Sequence, residues 1–440
     1  MSHLLPFTDP TDALNNPPLE ISHADGIRVF DTNGKAYIDA VSALWCSPLG
    51  FTPERLSTIL STQSQKLAYY HSFMGRTPQI TTQLSAQLAA ILPGDLNHIF
   101  YAASGSEAVE TAAKFARYYQ NARGKTQKKR IIARHGAYHG SGQISAALTG
   151  FGYCHDGFDV PLDAVIRTGR PHFIHDAELG ESEMAFSKRR ARELDDLITS
   201  HGAETIAAFI GEPAMGAGGV ILPPEGYWPE IQNVLARHDI LLLADEIICG
   251  FGRTGEWFAC QTYDIHPDML IMAKQMTASV FPMSAVAMTD TVRDTIANLA
   301  GEYQTLGHGV TYGGHPLGAA VALECIAIYE DMDLPRHVKT LGEQIKTGLA
   351  RIAQMPAVLN TRSMGMLAAV EFPEDGPYGT GLGQRVGAEA IRRGVFFRTI
   401  GDTLAIAPPY ICTPEEIDHI MDVMRQSIIT ITEEGGGNVG

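Results

Sequence analysis

None of the six cysteines, Cys46, Cys154, Cys249, Cys260, Cys325 and Cys412, forms a Cys-x-x-Cys pair. That scatter excludes a disulfide framework and a zinc knuckle and reads as reduced thiols. No run of ~18 apolar residues occurs, so no membrane-spanning helix is expected. Residues 1–18 lack a basic segment followed by an apolar one, so no secretory signal is expected and the protein is read as cytoplasmic. Basic residues are also scarce. Lys and Arg total 33 against 49 Asp and Glu, a formal charge of −16 that repels phosphate backbones and excludes a nucleic-acid partner. Internal repeats and low-complexity linkers are absent too, and only the tail from Glu433 is expected to fray.

What remains is a globular composition, 45% hydrophobic and 19% charged, over 440 residues, too long for one ordinary core. Residues 24–40 read as two short strands around a tight turn at Asn33-Gly34. From about Thr77 apolar strand-like runs alternate with longer helical stretches, the pattern of an α/β layer with a mostly parallel sheet. Strands are expected at 97–103, 130–134, 206–211, 240–245, 269–272 and 283–289, with helices at 107–120 and 227–237 between several of them. Beyond the Gly-rich stretch 307–318, a helix starting at Leu317 and strand-like runs at 364–372, 395–398 and 403–407 suit a smaller domain.

Three features carry chemistry. Ser104-Gly105-Ser106-Glu107 follows a strand and opens a helix, so backbone N–H groups and a hydroxyl converge where a phosphate binds. Taken alone it also reads as an ordinary serine N-cap with an acidic first turn. The apolar run Ile-Leu-Leu-Leu-Ala ends in Asp245, where a carboxylate emerges beyond the sheet. A further apolar strand ends in Ala273-Lys274, which presents one ammonium at the edge of a buried element.

Six ordered segments, SGSEAVETAAKFARYY, RHGAYHGSG, EPAMGAGGVILPPEGYWPEI, LLLADEIICGFGRTGEWFA, MAKQMTASVFPMSAVAM and GVTYGGHPLGAAVALE, resemble the successive motifs of class III, or omega-type, aminotransferases. The resemblance covers about residues 21–413. It implies pyridoxal 5'-phosphate as cofactor and the fold type I architecture: a large domain with a mostly parallel seven-stranded sheet flanked by helices, plus a small α+β domain. The large domain is expected at 71–318, the small one at 1–70 and 319–440. By the same resemblance Lys274 bonds the cofactor covalently and shuttles the proton, while Asp245 pairs with the pyridine nitrogen. Tyr138 stacks on the ring and Ile247 packs on its other face. Gly105 and Ser106 cradle the phosphate, Thr311 reaches it from a neighbouring subunit, and Glu212 lies close by, either facing a mobile arginine or belonging to a buried network. Trp45 walls the substrate pocket, and Arg398 matches the arginine that clamps a substrate carboxylate.

The implied reaction moves an amino group from an omega-amino acid or primary amine to an alpha-keto acid such as pyruvate, in a homodimer with shared sites or a tetramer built from it. A decarboxylating or racemising enzyme of the same cofactor class would share these motifs. A nicotinamide oxidoreductase is suggested only by Gly250-Phe251-Gly252-Arg253-Thr254-Gly255, which matches G-x-G-x-x-G but precedes no evident long helix. Gln275 departs from the small residue usual after the lysine, and either reshapes the pocket floor or points away. The pairs His135/His139 and His172/His175 have metal-like spacing but no third ligand nearby in sequence. They are read as loop or core histidines, with no metal site expected.

Overall fold

The computed structural model describes residues 3–436. In chain order the strands are β1 (Ile21–Asp25), β2 (Arg28–Asp31), β3 (Ala36–Asp39), β4 (His98–Ala102), β5 (Arg130–Arg134), β6 (Val165–Thr168), β7 (Ile206–Gly211) and β8 (Leu241–Asp245). They continue with β9 (Met269–Met272), β10 (Ser284–Met288), β11 (Asn360–Met364), β12 (Leu367–Glu371), β13 (Val395–Phe396), β14 (Arg398–Ile400) and β15 (Thr403–Ile406). Seven of them form the central sheet in the order β4-β10-β9-β8-β7-β5-β6. The neighbours from β9 to β6 run parallel, and β10 is antiparallel to both β4 and β9.

These strands are nearly continuous apolar runs because helices cover both faces. Alternate residues still part company, as the two-residue period requires. Ile131, Ala133, Ala208, Ile210, Leu241, Leu243, Met269 and Ile271 pack under Ala108, Val109, Ala112 and Phe115 of the helix Gly105–Ala122. Ile132, Phe209, Leu242, Ala244, Leu270 and Met272 face the other way. They meet Leu84 and Leu88 of Gln79–Ile91, Leu194 of Glu183–His201, Ile231 of Tyr227–Arg237 and Val321 of Pro316–Asp331. The right-handed βαβ crossovers leave the C-terminal ends of the parallel strands at one edge, where open α/β sheets place their ligands.

Two four-stranded sheets lie outside this layer. One has the order β1-β2-β3-β13, in which Val395 pairs with Ile38 in parallel across most of the chain. The other, β11-β12-β15-β14, is antiparallel throughout. Gly34 turns β2 into β3 at φ +82°, the left-handed conformation that the Asn-Gly dipeptide accepts. All six cysteines are free. No helix among the described residues is long and apolar enough to cross a membrane. The helix Pro414–Gly436 runs on past Glu433, where fraying is expected, and residues 437–440 lie outside those described.

Candidate active site

A cavity of about 390 Å³ opens at the C-terminal edge of the parallel strands. Five strands contribute through the turns that follow them: Ser104, Gly105 and Ser106 after β4, Tyr138 and His139 after β5, Glu212 after β7, Asp245 and Ile247 at the end of β8, and Lys274 after β9. Seven of the ten residues expected at the site therefore meet in one space. Leu44, Cys46, Phe281 and Met283 complete much of its apolar wall.

The turn after β4 serves two purposes at once. Ser104 Oγ accepts the Glu107 N–H at 3.2 Å and Glu107 Oε2 accepts the Ala103 N–H at 2.8 Å, a reciprocal cap for the helix Gly105–Ala122. Glycine keeps the same turn open toward the cavity. A Cβ at Gly105 would stand 3.0 Å from Ile247 Cδ1, and one at Gly140, at φ +128°, would collide with Ser106.

Asp245 is 3% exposed, and it is held by more than the strand. Its Oδ2 lies 2.7 Å from His139 Nδ1 and its Oδ1 accepts the Ile247 N–H at 3.2 Å. His139, itself buried, is the functional residue that sequence spacing missed. Its partner lies 106 residues on, and the clue was adjacency to Tyr138 rather than the His135 pairing. His139 Nε2 has no partner among the described residues.

Lys274 opens a 3₁₀ turn, Lys274–Thr277, at φ +46°. Burial lowers its ammonium pKa, against the opposing pull of Cys46, Asp245 and Glu212. Its Nζ stands 5.7 Å from the centre of the Trp45 ring. Trp45 is itself buried, and its neighbours Leu44 and Cys46 form the lining. The segment bearing it has positive φ at Ser42, Ala43 and Trp45. Such conformations cost about 1–3 kcal/mol each and persist only where surroundings over-determine them. Here the Asp39 carboxylate accepts the Val41 and Ala43 N–H groups at 2.9 and 3.0 Å, and Ser42 Oγ donates to the Ala407 carbonyl at 2.7 Å.

Gln275 points away from the cavity. Its side-chain amide donates to the Ile248 carbonyl at 2.7 Å and its own carbonyl accepts Tyr329 OH at 2.7 Å, so it braces the lysine loop. Glu212 belongs to a buried network: its carboxylate accepts N–H groups of Tyr138 and Gly216 at 3.3 and 2.9 Å, its backbone carbonyl accepts the Arg134 guanidinium, and burial raises its pKa. Arg398 and Thr311 are exposed and do not line the cavity of their own chain. Arg398 lies near Tyr153, where its charge opposes the upward push of burial on that phenol. Tyr153 in turn meets the edge of Phe7, whose ring centre is 6.3 Å from that of Tyr138. Phe7 carried no motif and was not anticipated.

The two histidine pairs need one correction. His135 and His139 do not converge on a third ligand, but His172 and His175 do converge on Glu371, which the intervening sequence concealed. The G-x-G-x-x-G match opens no helix of useful length, only the four-residue Ala259–Thr262. Arg253 inside it is buried, donates to the Pro408 carbonyl at 2.8 Å and stacks on Tyr410, so the loop is a packing corner.

A glycine turn that opens a helix, a buried lysine and a buried carboxylate backed by histidine, each at a separate strand end, form a constellation that comparison can test. The aminotransferase class III family model matches residues 11–428. The chain belongs to the class III aminotransferases. These enzymes use pyridoxal phosphate. Gamma aminobutyrate transaminase 3 of Solanum lycopersicum is 40% identical over 425 residues, covering 95% of this chain and 82% of that protein. An uncharacterised aminotransferase of Sinorhizobium fredii is 39% identical across 98% of this chain and 95% of its own length. The omega transaminase of Pseudomonas jessenii, solved in complex with PMP, superposes with a TM-score of 0.97 at 39% identity, covering 99% and 98% of the two chains. The chain is therefore a pyridoxal-phosphate-dependent transaminase with the fold expected from its motifs.

Beneath the site of this aminotransferase, Glu246 is fully buried, and its pKa is pushed up to about 7 by desolvation, with Asp245 adding to the rise. Its Oε1 accepts the Cys260 N–H at 2.6 Å and its Oε2 has no hydrogen-bond partner among the described residues. The folded state keeps this proton up to about pH 7, whereas the unfolded chain releases it near 4.5. Stability from the protonated acid is therefore complete below pH 4.5 and is lost as pH rises to 7, up to about 3 kcal/mol. Glu246→Gln is expected to gain on the wild type between pH 5 and 7 in urea unfolding and to hold that advantage at higher pH. Parallel pH curves for the two proteins would show that Glu246 is ionised in the fold.

Proposed function

We propose that this transaminase takes its amino group from an omega-amino acid or a primary amine and delivers it to an alpha-keto acid such as pyruvate. The observation that carries the reading is the meeting of Lys274 with the Asp245–His139 pair in one cavity whose wall is apolar. Pyridoxal phosphate, when bound, supplies a ring that accepts the electrons of the substrate Cα–H bond. The N–H groups of Ser104, Gly105 and Ser106 would take its phosphate, Tyr138 and Ile247 would enclose its ring, and Asp245 would face its nitrogen. Lys274, its pKa lowered by burial, is suited to hold and release the proton at Cα. The neighbouring relative named for gamma-aminobutyrate and a solved transaminase described with L-Ala support an omega-amino donor and a pyruvate-type acceptor.

The same proposal covers the subunit arrangement and the division of the chain. Tyr69, Tyr70, Phe73, Met74, Tyr303 and Tyr312 are exposed on the segments beside Thr311, and Met74 is 90% exposed. So much apolar surface in one region suits a homodimer contact. Thr311 would then reach the partner's phosphate. Residues 71–318 form the cofactor-binding body, and 1–70 with 319–440 form the smaller one; the pairing of β3 with β13 supports this join.

The test is a panel of amines followed by pyruvate, read by the visible colour of the purified protein. Bleaching by omega-amino acids and recovery with pyruvate are expected; bleaching with evolution of carbon dioxide would favour decarboxylation instead. Arg398 is proposed to grip the substrate carboxylate from the mouth of the cavity. A charged hydrogen bond of this kind is worth ~1.5–3 kcal/mol. Arg398→Leu should therefore lower kcat/KM for carboxylate-bearing donors ten- to a hundredfold, in round terms, while uncharged amines keep their rates. Equal losses for both substrate types would remove Arg398 from substrate recognition.

A further inference from the structure

We propose that His172, His175 and Glu371 form a binding site for one divalent transition-metal ion of the zinc type, apart from the transamination cavity. Ligand atoms of the three residues all lie within 4.8 Å of one another. His172 caps the short helical turn Phe173–Asp176 and His175 lies three residues on, so both imidazoles project from one rigid turn. Their ring centres are 4.5 Å apart at 85°, so the rings meet edge to face instead of stacking. Glu371 ends β12 and is 196 residues from His175.

The carboxylate is already divided between two duties. Its Oε2 bonds Arg362 and its Oε1 faces His175 Nε2. Arg362 is pinned by the carbonyls of Val220, at 2.7 Å, and Gly219. An arginine fixed in this way orients the carboxylate that a metal would share, as outer hydrogen bonds commonly do for ligating groups. Two imidazoles and one carboxylate suit zinc, cobalt or nickel, and lack both the oxygen shell that calcium takes and the thiolate that copper(I) prefers. Tetrahedral bonds of ~2.0–2.1 Å place ligand atoms about 3.4 Å apart, so no gap has to close by more than roughly 1.4 Å, while the touching His175 and Glu371 atoms must part to admit the ion. His175 can make that movement, because its side chain is 35% exposed. The same opening leaves room for water as a fourth ligand. The charge of Arg362 opposes the ion and sets its affinity below that of a site without it.

None of the three residues lines the cavity, so the ion would act as a clip between residues 172–175 and β12. The test uses the full-length, cofactor-loaded protein, stripped of metal with a chelator, equilibrated with zinc sulfate and passed through a desalting column. Elemental mass spectrometry is expected to find one zinc per chain in the wild type and in His266→Ala, a control outside the cluster. His175→Ala and Glu371→Gln are expected to retain at least tenfold less. Zinc should raise the melting temperature of the wild type and leave that of His175→Ala unmoved. Zinc-free wild type, or His175→Ala holding as much zinc as the wild type, overturns the proposal. Since Glu371→Gln also releases Arg362, the exposed His175 variant decides if the glutamine variant fails to fold.

Discussion

Lys274→Ala is expected to lose at least about a thousandfold in turnover, the combined loss of a nucleophile and of a positioned proton carrier. No other amine lies in the cavity to replace it; the remaining polar side chains there are hydroxyls, a thiol, carboxyls and an imidazole. The substitution should leave the fold intact. It removes an ammonium that burial already disfavours, and the loop is held independently by Gln275 through Ile248 and Tyr329. The alanine variant should therefore melt no lower than the wild type while failing to return to its yellow form after an amine and pyruvate are added. Activity within tenfold of the wild type would place the proton transfer on another group and undo the assignment of the site.

Asp245→Asn should be the next most damaging change, lowering kcat by about 10²- to 10⁴-fold. Asparagine keeps the volume but removes the negative charge facing the cavity, and with it the charge that holds His139. The buried neighbours offer no substitute. Glu246 stays protonated up to about pH 7, and Glu212 is engaged by two backbone N–H groups. The loss should fall on kcat rather than on KM for the keto acid, because Asp245 is buried at the strand end. Steady-state kinetics with both substrates separates these outcomes. A variant with normal kcat and raised KM would make Asp245 a binding residue alone.

The parts of this molecule that sequence discloses are those where one period dominates. β5, β7 and β9 and the helix Tyr227–Arg237 stand at their expected residues, since continuous apolar runs bounded by turns leave little choice of register. β6 escapes sequence reading because it is a four-residue edge strand whose residues are alternately half-buried, too short for a period to show. The run 395–398 proved to be two strands, β13 and β14, split at Phe397 between different sheets. Strand-end residues such as Asp245 and Lys274 were legible because each ends a buried run. His139, Phe7 and the meeting of Glu371 with His172 depend on contacts across 106 residues or more, and no local pattern encodes those.

The pairing of β13 with β3 also bears on how the chain is made. At ~5–20 residues per second, a ribosome needs roughly 20–70 s between completing β3 and delivering Val395 and Phe396. Through that interval the N-terminal sheet has an open edge at Tyr37 and Ile38, both buried in the finished molecule. Its closure is among the most non-local contacts in the protein and so among the slowest to form. Truncation anywhere before residue 395 leaves that edge free, and nascent or clipped chains should aggregate through their oldest strands rather than their newest.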